Sequence, residues 1–291
     1  MDAVGVDIGG TWIRAAVIRS DGVLEDVVRT PTGRERPADE VVGDIVATIE
    51  RADAGSLPVG VGAPTTLDSR GRLEPCPNLP TLVGLPLGEL LAERLGRDVV
   101  TENDAACFAL GEWRHGAGRG ASLLVGVTLG TGIGVGIVLE GRLVRGAHGR
   151  SGEIWHSPVD LRCDAGSCPH VEALVSGVAL ESAYAQHAPT PLPGPAIAAL
   201  AQRGDRPAQK AFESLGAALG GVLIWISDLL DPDVIVLGGS VSDSWDLIEP
   251  AVIRRLGERP LRLVVSELGQ RAALQGAATV ALAELERRRM V

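Results

Sequence analysis

Residues Val4 to Thr11 read V-G-V-D-I-G-G-T, and these types at this spacing suit phosphate chemistry. Val4, Val6 and Ile8 alternate along one side of a strand that runs into a carboxylate and two glycines. Without a Cβ at Gly9 or Gly10, backbone N–H groups can approach a phosphate closely. Thr11 adds a hydroxyl, and Asp7 has the hard oxygen donors that hold a hydrated Mg²⁺. The plainer reading is a hairpin turn that uses glycine for its geometry alone. A second copy weighs against it. Leu123 to Thr128 is another apolar run, and Leu129-Gly130-Thr131-Gly132-Ile133-Gly134 opens a further strand, Val135 to Leu139. Two such units in one chain predict a duplicated half-domain, and two phosphate turns facing across a cleft predict an ATP site.

Other segments carry groups for an acceptor. Val99 to Asp104 brings an apolar strand to Asn103-Asp104 at a helix start. There Asp104 could take a proton from a substrate hydroxyl and the Asn103 amide could bond another; alternatively one of the two is simply the helix cap. In Gly146 to His156, Glu153 and His156 stand three apart amid glycines and could together bind vicinal hydroxyls, or be solvated side chains. Cys163, Cys168, His170 and His156 are enough donors for a tetrahedral Zn²⁺ in an unusual spacing. Cys76 and Cys107 read as buried thiols. Gly238-Gly239, after the run Val234 to Leu237, could pass under a nucleoside or make a plain strand-to-helix turn.

The elements that must position these groups follow from pattern. Strands are expected at Ile13 to Arg19 and Val23 to Thr30, joined at Asp21-Gly22, then at Val59 to Ala63 and Asp98 to Thr101. Helices are expected over Arg36 to Ala52, Leu87 to Leu95, Ala105 to Trp113, Pro207 to Leu230, Asp246 to Leu256 and Ala272 to Arg289. A small hairpin is expected around Ser69-Arg70-Gly71, and a proline-rich loop from Pro189 to Pro195. Residues 1–115, completed by a C-terminal helix of about 272–291, are expected to form one α/β domain, and 116–271 a larger one with the hinge near Gly116 to Gly120.

Composition narrows the function. A chain of 291 residues, 45% of them hydrophobic, is an ordinary globular sequence. Its formal net charge of −10 argues against nucleic-acid binding. The single lysine, Lys210, rules out a P-loop and leaves arginine as the cationic phosphate contact. Four cysteines, no visible secretory leader and apolar stretches read as too short to span a bilayer predict a cytoplasmic protein without membrane contact.

Taken together, the segments resemble the ROK family of sugar kinases and sugar-responsive repressors, within the actin–hexokinase–Hsp70 superfamily. The motifs run in order: D-I-G-G-T at 7–11, V-G-V-G-A-P at 59–64, P-N-L at 77–79, E-N-D-A at 102–105, L-G-T-G-I-G at 129–134, G-A-x-G-x-x-G-E-x-x-H at 146–156, V-E-A-x-x-S-G at 171–177 and D-P-D-V-I-V-L-G-G at 231–239. The resemblance implies a two-domain α/β, actin-like ATPase (ribonuclease H-like) fold with duplicated βββαβα halves. It implies Asp104 as the base that activates a sugar 6-hydroxyl against the ATP γ-phosphate, with Asn78, Asn103, Glu153, His156 and Glu172 as acceptor ligands. Gly9, Gly10, Thr11, Thr131 and Gly132 would bind phosphates, Asp7 would serve Mg²⁺, and Gly238-Gly239 would lie near adenosine. It further implies a structural Zn²⁺ on His156, Cys163, Cys168 and His170, and a homodimer or higher homo-oligomer.

Departures from the family pattern bear on the acceptor. Trp155 stands where glycine is usual, Trp12 where lysine is common, and Thr65 replaces the glycine after Pro64. Ala165 stands at the middle cysteine position, with Cys168 as a replacement donor. The resemblance therefore implies an ATP-dependent glucokinase-type hexokinase, or the same chemistry on a modified sugar or C7-cyclitol. A sugar-responsive repressor is disfavoured because the first strand begins near residue 2, and a non-catalytic sensor because Asp7, Thr11 and Asp104 are retained. Polyphosphate is a second candidate donor.

Overall fold

The computed structural model describes residues 1–160, 168–188 and 190–289. It contains two five-stranded sheets. The first uses β1 (Ala3–Ile8), β2 (Trp12–Ile18), β3 (Val28–Pro31), β4 (Val59–Ala63) and β5 (Val99–Asn103) in the order β3-β2-β1-β4-β5. The second uses β6 (Leu123–Leu129), β7 (Ile133–Leu139), β8 (Arg142–Leu143), β9 (Val234–Gly238) and β10 (Leu263–Val265) in the order β10-β9-β6-β7-β8. Counted from its own first strand, each sheet has the same order, which is the duplication the repeated glycine turns predict.

The chain divides into two compact units. One comprises Met1–Gly126, Gly136–Ser151 and Ser266–Val291; the other comprises Val127–Val135 and Gly152–Val265. In the first unit β1 pairs antiparallel with β2 and β2 with β3, whereas β1, β4 and β5 run parallel. The helices of this unit are α1 (Ala38–Ala52), α2 (Leu87–Leu95), α3 (Asp104–His115) and α8 (Arg271–Arg289).

Alternation along β1 and β4 makes the two faces of this sheet chemically different. Val4, Val6, Ile8, Val59, Val61 and Ala63 form a core with Val41, Val42, Ile45 and Ile49 of α1 and Leu87 and Leu91 of α2. On the opposite face stand Gly5 and Gly60, and there the backbone of α8 comes down onto the sheet. A Cβ at Gly60 would lie 1.8 Å from the Ala277 carbonyl oxygen, and one at Gly5 2.0 Å from that of Leu274. Helix α3 meets α8 in the same manner: a Cβ at Gly276 would lie 1.7 Å from the Cys107 carbonyl oxygen. Small residues on all three surfaces thus allow a backbone-to-backbone approach that larger ones would block.

Glu112 of α3 is fully buried yet well partnered. It accepts the Ala117 N–H at 2.9 Å and the Leu268 N–H at 3.2 Å, and is bonded by the Ser266 hydroxyl. Three donors from two separate loops make up for the lost hydration of the carboxylate.

The second unit carries α4 (Gly177–Ala185), α5 (Gly194–Gln202), α6 (Arg206–Leu230) and α7 (Trp245–Leu256). By length and apolar composition α6 could cross a bilayer, so the expectation that every apolar stretch is too short does not hold for it. Here it serves as a core helix, burying Phe212, Leu215, Leu219, Val222, Leu223 and Ile226 and packing on α4, α5 and α7.

Other boundaries moved for local reasons. After the Asp21-Gly22 turn only Leu24 bridges back, to Ile18, with Val23 exposed; pairing resumes at Val28, so β3 is shorter than the expected Val23 to Thr30. The expected proline loop from Pro189 ends early, because Pro195 sits in the first turn of α5, where its missing N–H costs no helical bond. Helix α4 and strand β10 had no counterpart in the sequence reading. The expected hairpin near Gly71 is present, with Leu67 bridging Leu73 and Gly71 at φ +69°.

Candidate active site

The first cluster lies where parallel β1, β4 and β5 end. Register places Asp7 beside Gly62 and Ala63 beside Asn103, so the first glycine turn and the Asn103-Asp104 corner follow neighbouring strand ends. Ligands of open α/β sheets bind outside such carboxyl ends. The turn closes with a bond from the Gly9 N–H to the Trp12 carbonyl at 2.9 Å, which leaves the N–H groups of Gly10 and Thr11 outside it. Thr32, fully buried, braces the turn: its hydroxyl donates to the Gly9 carbonyl at 2.7 Å and its N–H to the Thr11 carbonyl at 2.9 Å.

Neither Gly9 nor Gly10 has a positive φ. A Cβ at Gly9 would sit 3.4 Å from the Trp12 carbonyl oxygen and one at Gly10 3.4 Å from Asn78 Oδ1, both ordinary contacts. Backbone conformation and packing therefore do not require glycine at either position, and the plain hairpin reading loses its physical basis. The same contact places the Asn78 side chain beside the turn.

Asp7 is paired with Arg14 Nη1 at 3.1 Å across the β1–β2 hairpin. Burial raises its pKa above the ordinary carboxylate value, with the Arg14 charge and hydrogen bond opposing that shift. Arg14 was absent from the sequence reading. Its signal is the hairpin register, in which Ile8 faces Ile13 and Asp7 faces Arg14. Trp12 packs under the Arg29 guanidinium, 5.1 Å from its ring centroid.

Asn103 is the N-cap of α3, its Oδ1 accepting the Ala106 N–H at 3.0 Å. The cap uses the amide oxygen and leaves the Nδ2 donors, one of which reaches the Thr65 carbonyl at 3.4 Å. Asp104 is the first residue of α3 and accepts the Ala105 N–H at 2.7 Å. A negative charge is favoured at that end of a helix. Glu102 accepts the Asn103 N–H at 3.0 Å and pairs with Arg145 at 2.6 Å. Thr65 turns its hydroxyl inward to the Glu74 carbonyl at 3.0 Å.

The second cluster belongs to the other unit. Gly130 donates to the Gly132 carbonyl at 2.9 Å and accepts from the Gly177 N–H at 2.7 Å, so the turn carrying Thr131 is fixed at both ends. A Cβ at Gly130 would meet nothing within 4 Å, whereas one at Gly132 would come 2.1 Å from Glu172 Oε2. Glu172 accepts the Ile133 N–H at 3.3 Å, which draws this expected acceptor ligand to the second glycine turn. Gly239, at φ +86°, would bring a Cβ 2.3 Å from the Leu129 carbonyl oxygen; its glycine follows from packing. Gly238 ends β9 beside it.

Glu153 precedes and His156 ends a single 3-10 turn, Ile154–His156, which packs against the turn Val171–Ala173 bearing Glu172. The Val171 N–H donates to the Ser157 carbonyl at 3.0 Å and Pro158 bridges His170. Trp155 Nε1 donates to Glu153 Oε2 at 2.7 Å, and its ring meets the His156 ring edge-on with centroids 4.8 Å apart.

The expected zinc donors are not assembled by the described residues. Cys163 lies outside them, Cys168 is disulfide-bonded and so offers no thiolate, and His170 keeps a buried Nδ1 without a hydrogen-bond partner among the described residues. Among the described residues no group of three His, Cys, Asp or Glu side chains is placed to hold a metal ion.

Comparison with known proteins agrees with this architecture. A ROK family model matches residues 3–284. The chain is 30% identical to the glucokinase of Thermotoga maritima, covering 95% of this chain and 96% of that one. It is 33% identical to an N-acetyl-D-glucosamine kinase of Escherichia coli, covering 88% of each. A ROK family glucokinase from Streptomyces griseus, solved in complex with glucose and AMPPNP, superposes with a TM-score of 0.84 at 32% identity, covering 97% of this chain and 100% of that one. The two mixed sheets are those of the actin-like ATPase fold. With the family matched over nearly its whole length, the ordered glycine turns and the Asn103-Asp104 corner have one common source: the chain belongs to the ROK family.

Proposed function

We propose that this protein is an ATP-dependent sugar kinase that phosphorylates the 6-hydroxyl of glucose or a similar hexose. The observation that carries this reading is the set of glycines the fold does not need. At Gly9, Gly10 and Gly130 neither φ nor packing calls for glycine, whereas close approach of a phosphate to the backbone does. Gly9, Gly10, Thr11, Thr131 and Gly132 are the phosphate ligands of this reading, with Gly238-Gly239 near adenosine. Relatives that phosphorylate glucose and N-acetyl-D-glucosamine support the reaction class.

Asp104 accepts the proton of the attacking hydroxyl as its oxygen bonds to the γ-phosphorus and the bond to the β,γ-bridging oxygen breaks. Asn103 donates to the acceptor through Nδ2, and Asn78, Glu153, His156 and Glu172 hold the remaining hydroxyls. Asp7 fits Mg²⁺, since a carboxylate whose charge burial disfavours gains from a cation beside it. When bound, that ion neutralises charge on the transferring phosphates. Metal analysis of the purified protein tests whether His156, Cys163, Cys168 and His170 hold zinc. A homodimer belongs to the same reading, with molar mass in solution as its check.

A second reading, favoured by Trp155 beside Glu153 and His156, is the same chemistry on a modified sugar or C7-cyclitol. The test is ADP release with Mg·ATP against glucose, mannose, fructose, glucosamine, N-acetylglucosamine, N-acetylmannosamine and a C7-cyclitol. Turnover of glucose supports the first reading and turnover of an analogue alone the second. Release on none, with sugar binding retained, supports a sensor.

A further inference from the structure

Register sets four side chains of the first unit on one face of its sheet. Asp7 of β1 faces Arg14 of β2, and Arg14 faces Arg29 of β3, so the three form a row across neighbouring strands. Trp12, two residues before Arg14, points to the same side. It follows Thr11 directly, and its carbonyl closes the glycine turn by accepting the Gly9 N–H at 2.9 Å. The row therefore lies at the end of the sheet that carries the turn.

Charge in this row does not balance. Asp7 pairs with Arg14 Nη1 at 3.1 Å, whereas Arg29 is exposed and makes no ion pair among the described residues. Like charges directly opposite one another destabilise a strand pair, so Arg14 and Arg29 do not face each other for the sake of the fold. What holds Arg29 is the Trp12 ring, the guanidinium carbon standing 5.1 Å from the ring centroid. A guanidinium held over a ring keeps its N–H donors available to phosphate oxygens. The chain's one lysine, Lys210, lies in α6 of the other unit and brings no charge to this row.

We propose that Arg29, held on the Trp12 ring, is the cationic contact for the phosphate chain of the ATP donor. The inference rests on the reading of Gly9, Gly10 and Thr11 as phosphate ligands. Backbone N–H groups of that turn supply dipoles, and Arg29 supplies the positive charge, because Asp7 already neutralises Arg14. Trp12 carries no charge of its own and aims that of Arg29.

Steady-state kinetics and calorimetric ATP binding of the full-length protein test this, with Mg²⁺ and whichever acceptor of the panel above has the highest kcat/KM. Arg29→Ala is expected to lower kcat/KM for ATP about tenfold, while the acceptor KM stays within about twofold. Arg29→Lys, which keeps the charge without the planar fork, should recover part of that loss. The ATP Kd should also rise less steeply with ionic strength in Arg29→Ala than in the wild type, a change that a purely structural residue would not cause. Without ligand, Arg29→Ala should melt within about 2 °C of the wild type, since relief of the charge opposite Arg14 offsets the lost ring contact. Trp12→Leu removes the ring and should cost about threefold in kcat/KM for ATP; combined with Arg29→Ala it should be scarcely worse than Arg29→Ala alone. Unchanged ATP kinetics in Arg29→Ala, or losses that multiply in the double variant, would overturn the proposal and leave the kinase reading standing. A wild-type protein that neither binds ATP nor turns over any acceptor overturns both.

Discussion

Asn103 Oδ1 accepts the Ala106 N–H at 3.0 Å, so the amide oxygen starts α3 and the acceptor contact proposed above falls to Nδ2. The two tasks use different atoms and can be separated by mutation. Asn103→Ala should cost about 1 kcal/mol of stability through the lost cap, together with activity. Asn103→Asp should keep the cap, and with it the urea midpoint, while lowering kcat/KM for sugar at least about tenfold, because an N–H donor becomes an acceptor. Equal stability losses in both variants would show that the cap is not made by the side chain.

Asp104, proposed above as the base, is the first residue of α3. Asp104→Asn is expected to lower kcat by about 10²- to 10⁴-fold, the usual range for losing a general base. Glucose binding, measured by calorimetry, should stay within a few fold. Turnover near the wild-type value would remove Asp104 from that role.

Two glycines with opposite surroundings separate function from folding. A Cβ at Gly10 meets only an ordinary contact, at 3.4 Å, whereas one at Gly60 would run into the Ala277 carbonyl at 1.8 Å. Gly10→Ala should melt with the wild type and lose kcat/KM for ATP by about 10²-fold through displacement of the phosphate. Gly60→Ala should be destabilised by about 1–3 kcal/mol or more as α8 is forced off the sheet. Calorimetric melting of the ligand-free proteins together with ATP titration distinguishes the two.

Asp7 predicts a stability that falls with pH. Burial raises its folded pKa, with the Arg14 pair only partly opposing it. As pH rises past the ordinary carboxylate value, the unfolded chain releases this proton first, so the folded state loses stability until pH passes the folded pKa. Asp7→Asn carries no such term. Without ligand, its melting temperature relative to wild type should increase from about pH 4 upward and then level off, while its Mg²⁺-dependent turnover is lost. A gap that shrinks with rising pH would contradict the assignment.

Much of the fold was legible because its signals are short and contiguous. The V-G-V alternation at Val4 to Val6 and Val59 to Val61 announces strands, and the repeated glycine turns announce a duplicated sheet, observed as two identical strand orders. Elements with weak periodicity were missed: β10 is three residues long, and α5 begins within a proline-rich stretch that reads as loop. Strand β3 was drawn too long because Val23 and Val27 look like strand residues yet lie exposed outside the ladder.

Of the candidate site, residue types were visible from the start, and partnerships were not. Asp7 and the Asn103-Asp104 corner stood out as chemistry-bearing groups, each inside one local motif. That Asp7 shares its charge with Arg14, that Thr32 braces Gly9, and that Asn78 stands beside Gly10 depend on hairpin register and strand order. Likewise Trp155 reads along the chain as a bulky replacement for glycine, and only folding aims its N–H at Glu153. The reason is physical: propensity and turn chemistry act over a few neighbouring residues, whereas a hydrogen bond is set to tenths of an ångström by the packing of sheets and helices drawn from distant parts of the chain.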